Sequence, residues 1–493
     1  MSWQRLDARM ILADALRVLV SLLPGVLALL LTGFEPEPLA IGPLAGLAVW
    51  GVAGAVADVV RWATTRYRIT DAYVERRTGL FVRTHRSVRR DRIRSVDTSA
   101  RLIQRLAGLR RVTIGAGQMN TAMEAAFTLD ALSKRDAEAL RRRLTGSAPE
   151  PSAEPMAAFQ WRWIVYNVTG IWALVTAAGL MWGGFWTAAS FGLDPGAWLN
   201  SLADWEELGP VPTAATAFAA AVLLGGVGRA CSFVTEHAHF RLDRIPGEEG
   251  GTILRTTQGL FKTREVTRDD RRLRGVTVSE PLLWRWMGMA DTTVITTGLS
   301  MWSSSVSVLP RGPVRLARRV AAAVIGDPAL GTPLRRHPRA ALRRRLLWGV
   351  LTASAGALLV LPAGSTPGAV AFAVLLPPAL GLACAGHLAL GHAVAGDYLV
   401  VRAGAMTRAT SALRRDAVSG VQVRQSLLQW RLGLAGVWAM TAAGEGAYGA
   451  RDMAAAEAAG FASAALPGYV EQFRAGSLPA DRTPLTFSVP GAG

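Results

Sequence analysis

Cysteine is almost missing from these 493 residues: Cys231 and Cys384 are the only two, and both lie in apolar stretches. A disulfide-stapled scaffold and a multi-cysteine metal site are thereby excluded. Lysine is equally scarce, with Lys134 and Lys262 alone, so the 54 basic residues are nearly all arginine. That bias fits a GC-rich coding sequence better than a function. Charge as a whole is thin. It is 18% of the chain, against about 25% in an ordinary soluble domain. The net charge is nevertheless +18. Few charges with a large excess of one sign must be segregated, which excludes an acidic disordered chain and argues against a purely soluble protein. The six histidines are His85, His237, His239, His337, His387 and His392. His237 and His239 fit one strand face but lack a thiolate or carboxylate partner, so they make a poor metal site. The chain has no Walker-type phosphate loop, no G-x-S-x-G elbow and no H-E-x-x-H. The expectation is a protein with no enzymatic activity, no metal and no cofactor.

Long apolar runs are abundant instead. A bilayer-spanning helix needs about 20 mainly apolar residues. Six runs meet that length, near Ile11–Phe34, Ala40–Trp62, Trp163–Ala188, Val211–Thr235, Leu346–Ala363 and Ala369–Ala393. They form three pairs. The loops inside the pairs contain no Lys or Arg, whereas the segments between pairs are rich in Arg. The bias of basic residues toward the cytoplasm then predicts a multi-pass protein of the bacterial inner membrane with both termini inside. The first run lacks a small-residue cleavage site, so a signal peptide is not expected. Asp14 and Arg17 lie three apart on one helical face, and Asp58 and Arg61 repeat the spacing. These two membrane ion pairs sit at similar depth, where they can cross-pair. Structural pairing or snorkelling explains them better than a transport path.

Between the pairs the chain repeats itself. Gly79-Leu80-Phe81 recurs as Gly259-Leu260-Phe261, and Gly404 opens a weaker third copy. The copies align without a gap at offsets of 180 and 325 residues: Ile93, Leu273 and Val418, then Val96, Val276 and Val421, then Gly108, Gly288 and Gly433. Each copy reads as short strands followed by one helix. Tyr67–Thr70 and Tyr73–Arg76 flank Asp71-Ala72, Ser87–Val96 alternates, and Val112–Gly115 is a further strand. Leu102–Leu106 reads as a helical turn. An amphipathic helix follows Ser133, its predicted N-cap.

Tyr67-Arg68-Ile69-Thr70-Asp71, Gly79-Leu80-Phe81, Asp91-Arg92-Ile93-Arg94-Ser95-Val96 and Leu106-Ala107-Gly108-Leu109 resemble bacterial pleckstrin-homology-like (PH-like) domains of the second type. The threefold arrangement with membrane pairs resembles YdbT-like membrane proteins. The resemblance implies a PH-like barrel or sandwich capped by a C-terminal helix, and it implies no catalytic activity. The expected fold class is therefore membrane α-helical plus β: six transmembrane helices in three hairpins, each followed by a cytoplasmic PH-like domain. The hairpins are placed at 1–62, 161–235 and 346–395. The PH-like domains fall at 63–145, 236–325 and 396–474, with a basic connector at 326–345 and a flexible tail at 475–493.

Positive charge concentrates in the first of these domains, where Arg61–Thr145 holds 20 basic and 8 acidic residues. Its densest group is Arg83, Arg86, Arg89, Arg90, Arg92 and Arg94. In a strand, Arg90, Arg92 and Arg94 share one face. The plain explanation is a solvated face plus the ordinary cytoplasmic bias; the functional one is contact with the anionic inner leaflet or an acidic partner. Nucleic acid is not expected, because no stacking aromatics interleave the basic residues. The expected function is a scaffold or sensor in envelope maintenance, with the bilayer, protein partners or further copies of itself as partners. The alternative is a transporter or export accessory for lipids or peptides, with Asn167, Thr169 and Thr176 as its few polar residues within the runs. A lipid-modifying enzyme would need convergent acid, base or metal groups at the inner interface, and the sequence offers none.

Overall fold

The computed structural model describes residues 3–467 apart from 33–37, 81, 91–92, 94, 116–126, 146–153, 169–170, 191–192, 203–204, 247–250, 298–306 and 328. Two compact units, Met1–Arg271 and Arg272–Gly493, divide the chain.

In the first unit, helices α1 (Arg9–Thr32) and α2 (Pro38–Thr64) pack on each other. Strands β1 (Arg66–Ile69), β2 (Tyr73–Thr78) and β3 (Thr84–Arg89) follow. With the two-residue strand Gln4–Arg5 they make a four-stranded sheet that ends at β3. Strands β4 (Ser95–Ala100), β5 (Leu109–Gly115) and β6 (Phe127–Ser133) then lead into helix α3 (Lys134–Thr145). Ser133 caps α3 as its sequence position predicts, its Oγ accepting the Asp136 N–H at 3.1 Å. The predicted alternation over Ser87–Val96 is two strands in two different sheets, with the chain leaving the extended path between Arg89 and Ser95. Val74, Val96, Leu109, Val112, Ile114, Leu129 and Leu140 close the core of this module. Helices α4 (Ile171–Ser190) and α5 (Pro210–His237) come next. They pass so closely that a Cβ on Gly225 would stand 2.0 Å from the Ala173 carbonyl oxygen. Strands β7 (Arg241–Pro246), β8 (Thr252–Gln258) and β9 (Thr263–Asp269) complete the unit.

The second unit repeats this order. It holds β10 (Leu273–Pro281), β11 (Met289–Thr296), β12 (Ser307–Pro313) and helix α6 (Val314–Ile325). Helices α7 (Arg339–Val360) and α8 (Ser365–Leu388) pack along each other. Next come β13 (Gly391–Ala395), β14 (Tyr398–Ala403), β15 (Thr407–Arg414) and β16 (Gly420–Arg424). A short helix α9 (Leu427–Arg431), β17 (Leu434–Met440), β18 (Ala447–Ala454) and helix α10 (Ala455–Ala465) end it.

The sheets do not respect the boundaries between sequence copies. In the first unit β4 pairs with β9, giving a seven-stranded sheet in the order β6-β5-β4-β9-β8-β7, extended by Ala157–Ala158. In the second, β10 pairs with β15, giving the six-stranded order β12-β11-β10-β15-β14-β13. Strands β16, β17 and β18 form a separate three-stranded sheet. The same two halves therefore join twice, the later half of one copy to the earlier half of the next. Ion pairs tie both joints. Arg264 reaches Asp97 at 3.1 Å, and buried Glu280 receives Arg318 at 2.9 Å together with Arg408.

The expectation of six transmembrane helices in three hairpins is overturned. Among the described residues, two helices are long and apolar enough to cross a membrane, α5 and α8. The other runs combine apolar content with interruptions. α1 carries Arg9, Asp14 and Arg17 in its first third, and α2 ends with Asp58 and Arg61. The third run holds the short helix Trp163–Val168 and α4, with residues 169–170 between them outside the described residues. Four arginines, Arg339, Arg343, Arg344 and Arg345, open α7. Antiparallel sheets joined by long-range strand pairing are what the strands build.

Candidate functional site

The helical repeat sets Arg344, Trp348 and Thr352 in one row on α7, with Arg345 and Gly349 in the row beside it. Opposite them, α8 contributes Leu382 and Ala383, and the sheet β16-β17-β18 contributes Arg424, Trp438 and Arg451. Together they line an open cavity of about 660 Å³. That lies within the range of small-molecule sites, roughly 300–1,000 Å³. Gly349 lets the helices close, because a Cβ there would meet the Ala379 carbonyl oxygen at 3.1 Å.

At the cavity's edge lies Asp452, 1% exposed. The ladder between β17 and β18 shifts register between Ala435 and Val437, so the chain bulges beside Asp452. Its φ is +60°, a left-handed conformation rare for a residue with a Cβ. Bulges re-aim side chains in this way, and strain of this kind gathers at functional sites. The carboxylate accepts hydrogen bonds from Arg344 at 2.6 Å, Gln429 at 2.9 Å and Arg345 at 3.3 Å. Gln429 is held in turn by a capping box with Ser426 at the start of α9. Arg451 lies over the Trp438 ring, 4.9 Å from its centroid. Four guanidiniums thus face one carboxylate around the cavity. The Nε–H groups of Arg344 and Arg345 are buried with no hydrogen-bond acceptor. Buried donors without acceptors are rare in folded proteins. The Nε–H groups of Arg111, Arg255 and Arg408, away from the cavity, share this state, so the distinguishing feature of the cavity is its surplus of guanidiniums over carboxylates.

Behind the cavity, His392 on β13 meets His337 at 3.0 Å between ring nitrogens. The Phe461 ring lies edge-on 4.9 Å from the His392 ring. Burial, reinforced by His337 and Arg335, pushes the His392 imidazole down to about 4. Glu457, 3.7 Å away and half exposed, would favour the cation but is outweighed. The unfolded chain therefore takes up this proton first, near pH 6.5. Stability contributed by the neutral imidazole is complete above that pH and is lost as pH falls toward 4. The loss is on the order of 3 kcal/mol if the pair acts as one site. Thermal unfolding between pH 7 and pH 4.5 should show this slope, and His392→Gln should flatten it. An unchanged slope in the variant would refute the assignment.

The residues singled out in the sequence lie elsewhere. Arg61 joins Asp58 at 2.6 Å and Asp14 at 4.0 Å, which is the cross-pairing between α1 and α2 that the spacing allows. It also reaches Asp130 at 3.7 Å. Arg17 lies exposed on α1. Arg83 precedes β3, Arg86 and Arg89 lie on it, and Arg90 donates to the carbonyls of Asp71 and Arg143. Arg92 and Arg94 fall outside the described residues, as does the tail. His237 and His239 do not share a strand. The first ends α5 and stacks on Phe233, while the second has a φ of +56° before β7 begins. The sequence reading missed the cavity. Its only local trace is the basic run 335–345, and the acid that organises it lies more than one hundred residues later.

Comparison with known proteins places the modules in context. The bacterial PH domain family, bPH_2, matches residues 18–148 and 351–463. The second segment contains the cavity wall from Thr352 on α7 to Asp452 on β18, while Arg344, Arg345, Trp348 and Gly349 precede it. No curated protein and no solved structure matches the chain.

Proposed function

We propose that this protein is a membrane-associated interaction scaffold, not an enzyme, and that its cavity at the base of α7 and α8 holds the anionic headgroup of an amphiphile. The surplus of guanidiniums around Asp452, with Arg344, Arg345, Arg424 and Arg451 lining one cavity, carries this reading. The apolar part of the ligand has a matching surface. Leu347, Leu351 and Leu358 on α7 and Val370 and Val374 on α8 are exposed, and α8 is long and apolar enough to cross a membrane. A polar head in a basic pocket, with tails along apolar helices, is the arrangement a phospholipid fills. Arg83, Arg86, Arg89 and Arg90 on the first module add a more diffuse attraction to an anionic surface. A role in envelope maintenance, and the likeness to YdbT-like proteins, fit this reading.

The test is vesicle binding by the full chain in detergent-depleted form, with phosphatidylglycerol against phosphatidylcholine. Anionic vesicles should bind much better, with affinity falling as salt rises. Arg424→Gln and Arg451→Gln should each lower that affinity about fivefold, the equivalent of about 1 kcal/mol per close basic residue. Equal binding to both vesicle types, or no effect of either substitution, would reject the proposal.

A further inference from the structure

The two joints between sequence copies are the same joint. In the first, Thr263 pairs with Ala100 and Arg268 with Ser95. In the second, Pro281 pairs with Thr407 and Gly275 with Leu413. Shifted by the repeat offsets, the first register becomes the second without adjustment: Thr263 and Ala100 correspond to Arg408 and Glu280, which are paired. Three copies joined in this way use two joints and leave two ends. One end is β3, the copy-one counterpart of β9 and β15, which terminates its sheet. The other is β16, the copy-three counterpart of β4 and β10, which terminates its own.

We infer that β16 of one molecule pairs antiparallel with β3 of a second copy, making head-to-tail assemblies of this chain. The same offsets give the register: Arg424 opposite Thr84, Gln422 opposite Arg86, and Val421 opposite Ser87. An edge strand is a template for strand addition, and this chain already adds a β3-type strand to a β16-type strand twice. The contact is heterologous, so it grows as a ring or as an open chain.

The side chains make this third joint weaker than the internal two. Asp97 and Glu280, which anchor those joints, are replaced at the corresponding positions by Gln422 and Gln425. Arg86 and Arg89, which hold interactions of their own, and Arg424 bring like charge to the contact. Assembly is therefore reversible and strengthens as salt screens these arginines, opposite in sign to the vesicle binding above. It does not depend on the cavity.

Two full-length chains with distinct tags test it, both with Cys231→Ser and Cys384→Ser. One carries Ser87→Cys and the other Val421→Cys. Directly opposed residues on antiparallel strands lie within disulfide reach. Mild oxidation of the mixture should give a disulfide-linked heterodimer. Its yield should rise with salt and exceed that of the offset pair Thr84→Cys with Val421→Cys by about fivefold or more. Circular dichroism establishes that each chain is folded. The inference is overturned if folded chains give no heterodimer, or if the offset pair links equally well. It is also overturned if one chain carrying both cysteines links only within itself.

Discussion

Asp452→Ala is expected to cost about 3–5 kcal/mol of folding stability, the loss seen when one partner of a buried ion pair is removed. Arg344 and Arg345, only partly exposed, would remain beside the cavity with their charge uncompensated. Gln429 would lose its acceptor as well. Alanine at φ +60° gains nothing in return, because a Cβ is disfavoured there and the side chain can form no local hydrogen bond. Asp452→Asn separates charge from geometry. Asparagine tolerates the left-handed conformation and still accepts one hydrogen bond, so its cost should be clearly smaller. It also removes the cavity's single negative charge, so a variant that folds should bind anionic vesicles more tightly than the parent. Denaturant titration gives the first quantity and vesicle co-sedimentation the second. If Asp452→Ala proves as stable as the parent, the ion-pair account of this site fails. If folded Asp452→Asn binds anionic vesicles less well, the headgroup proposal fails.

Gly404→Ala is the second large effect. The turn between β14 and β15 places Gly404 at φ +112°, and a Cβ there would stand 1.8 Å from the Thr407 carbonyl oxygen. The obstacle is backbone, which cannot rotate aside. The penalty should therefore exceed the roughly 1–3 kcal/mol that an unfavourable φ alone costs. Gly79 and Gly259 stand in the same relation to the carbonyls of Val82 and Lys262, at 1.8 and 2.0 Å. The three substitutions should destabilise by similar amounts, each read from the unfolding of the unit that contains it. A tolerated alanine at any of them would mean that the turn can open without disturbing its strands.

The sequence made these turns legible because the requirement is local. A glycine, two to four residues and a reversed strand recur three times, and the alternation around Tyr67 and Tyr73 fixes β1 and β2 directly. Ser133 marked the start of α3 for the same reason. The partner of each strand was not legible. Alternation says that β4 and β9 are strands, but nothing in either says that Ser95 faces Arg268. The gapless repeat held that information, and it became readable only once one joint was known. The apolar runs misled for a different reason. Composition counted Leu, Ala and Val segment by segment, began the fifth run at Leu346 although the helix opens at Arg339, and took Asp14 and Arg17 as a tolerated pair within the first. The cavity escaped because its parts are scattered. Arg344, Arg424 and Asp452 come from a helix and two strands, and each alone looks like an ordinary surface or interior charge.

The joining of β4 to β9 also dictates the order in which this protein matures. Ser95–Ala100 leaves the ribosome well over one hundred residues before Thr263–Asp269 exists. At about 5–20 residues per second, translation keeps that strand waiting for roughly 10–30 seconds. Throughout that interval the nascent chain displays a half-finished sheet to everything around it. Successive β9-like and β15-like strands must then find their proper neighbour among candidates that hold equivalent places in the repeat. Slow elongation, or a ribosome stalled between the two segments, would thus expose the growing polypeptide to mispairing with other nascent copies.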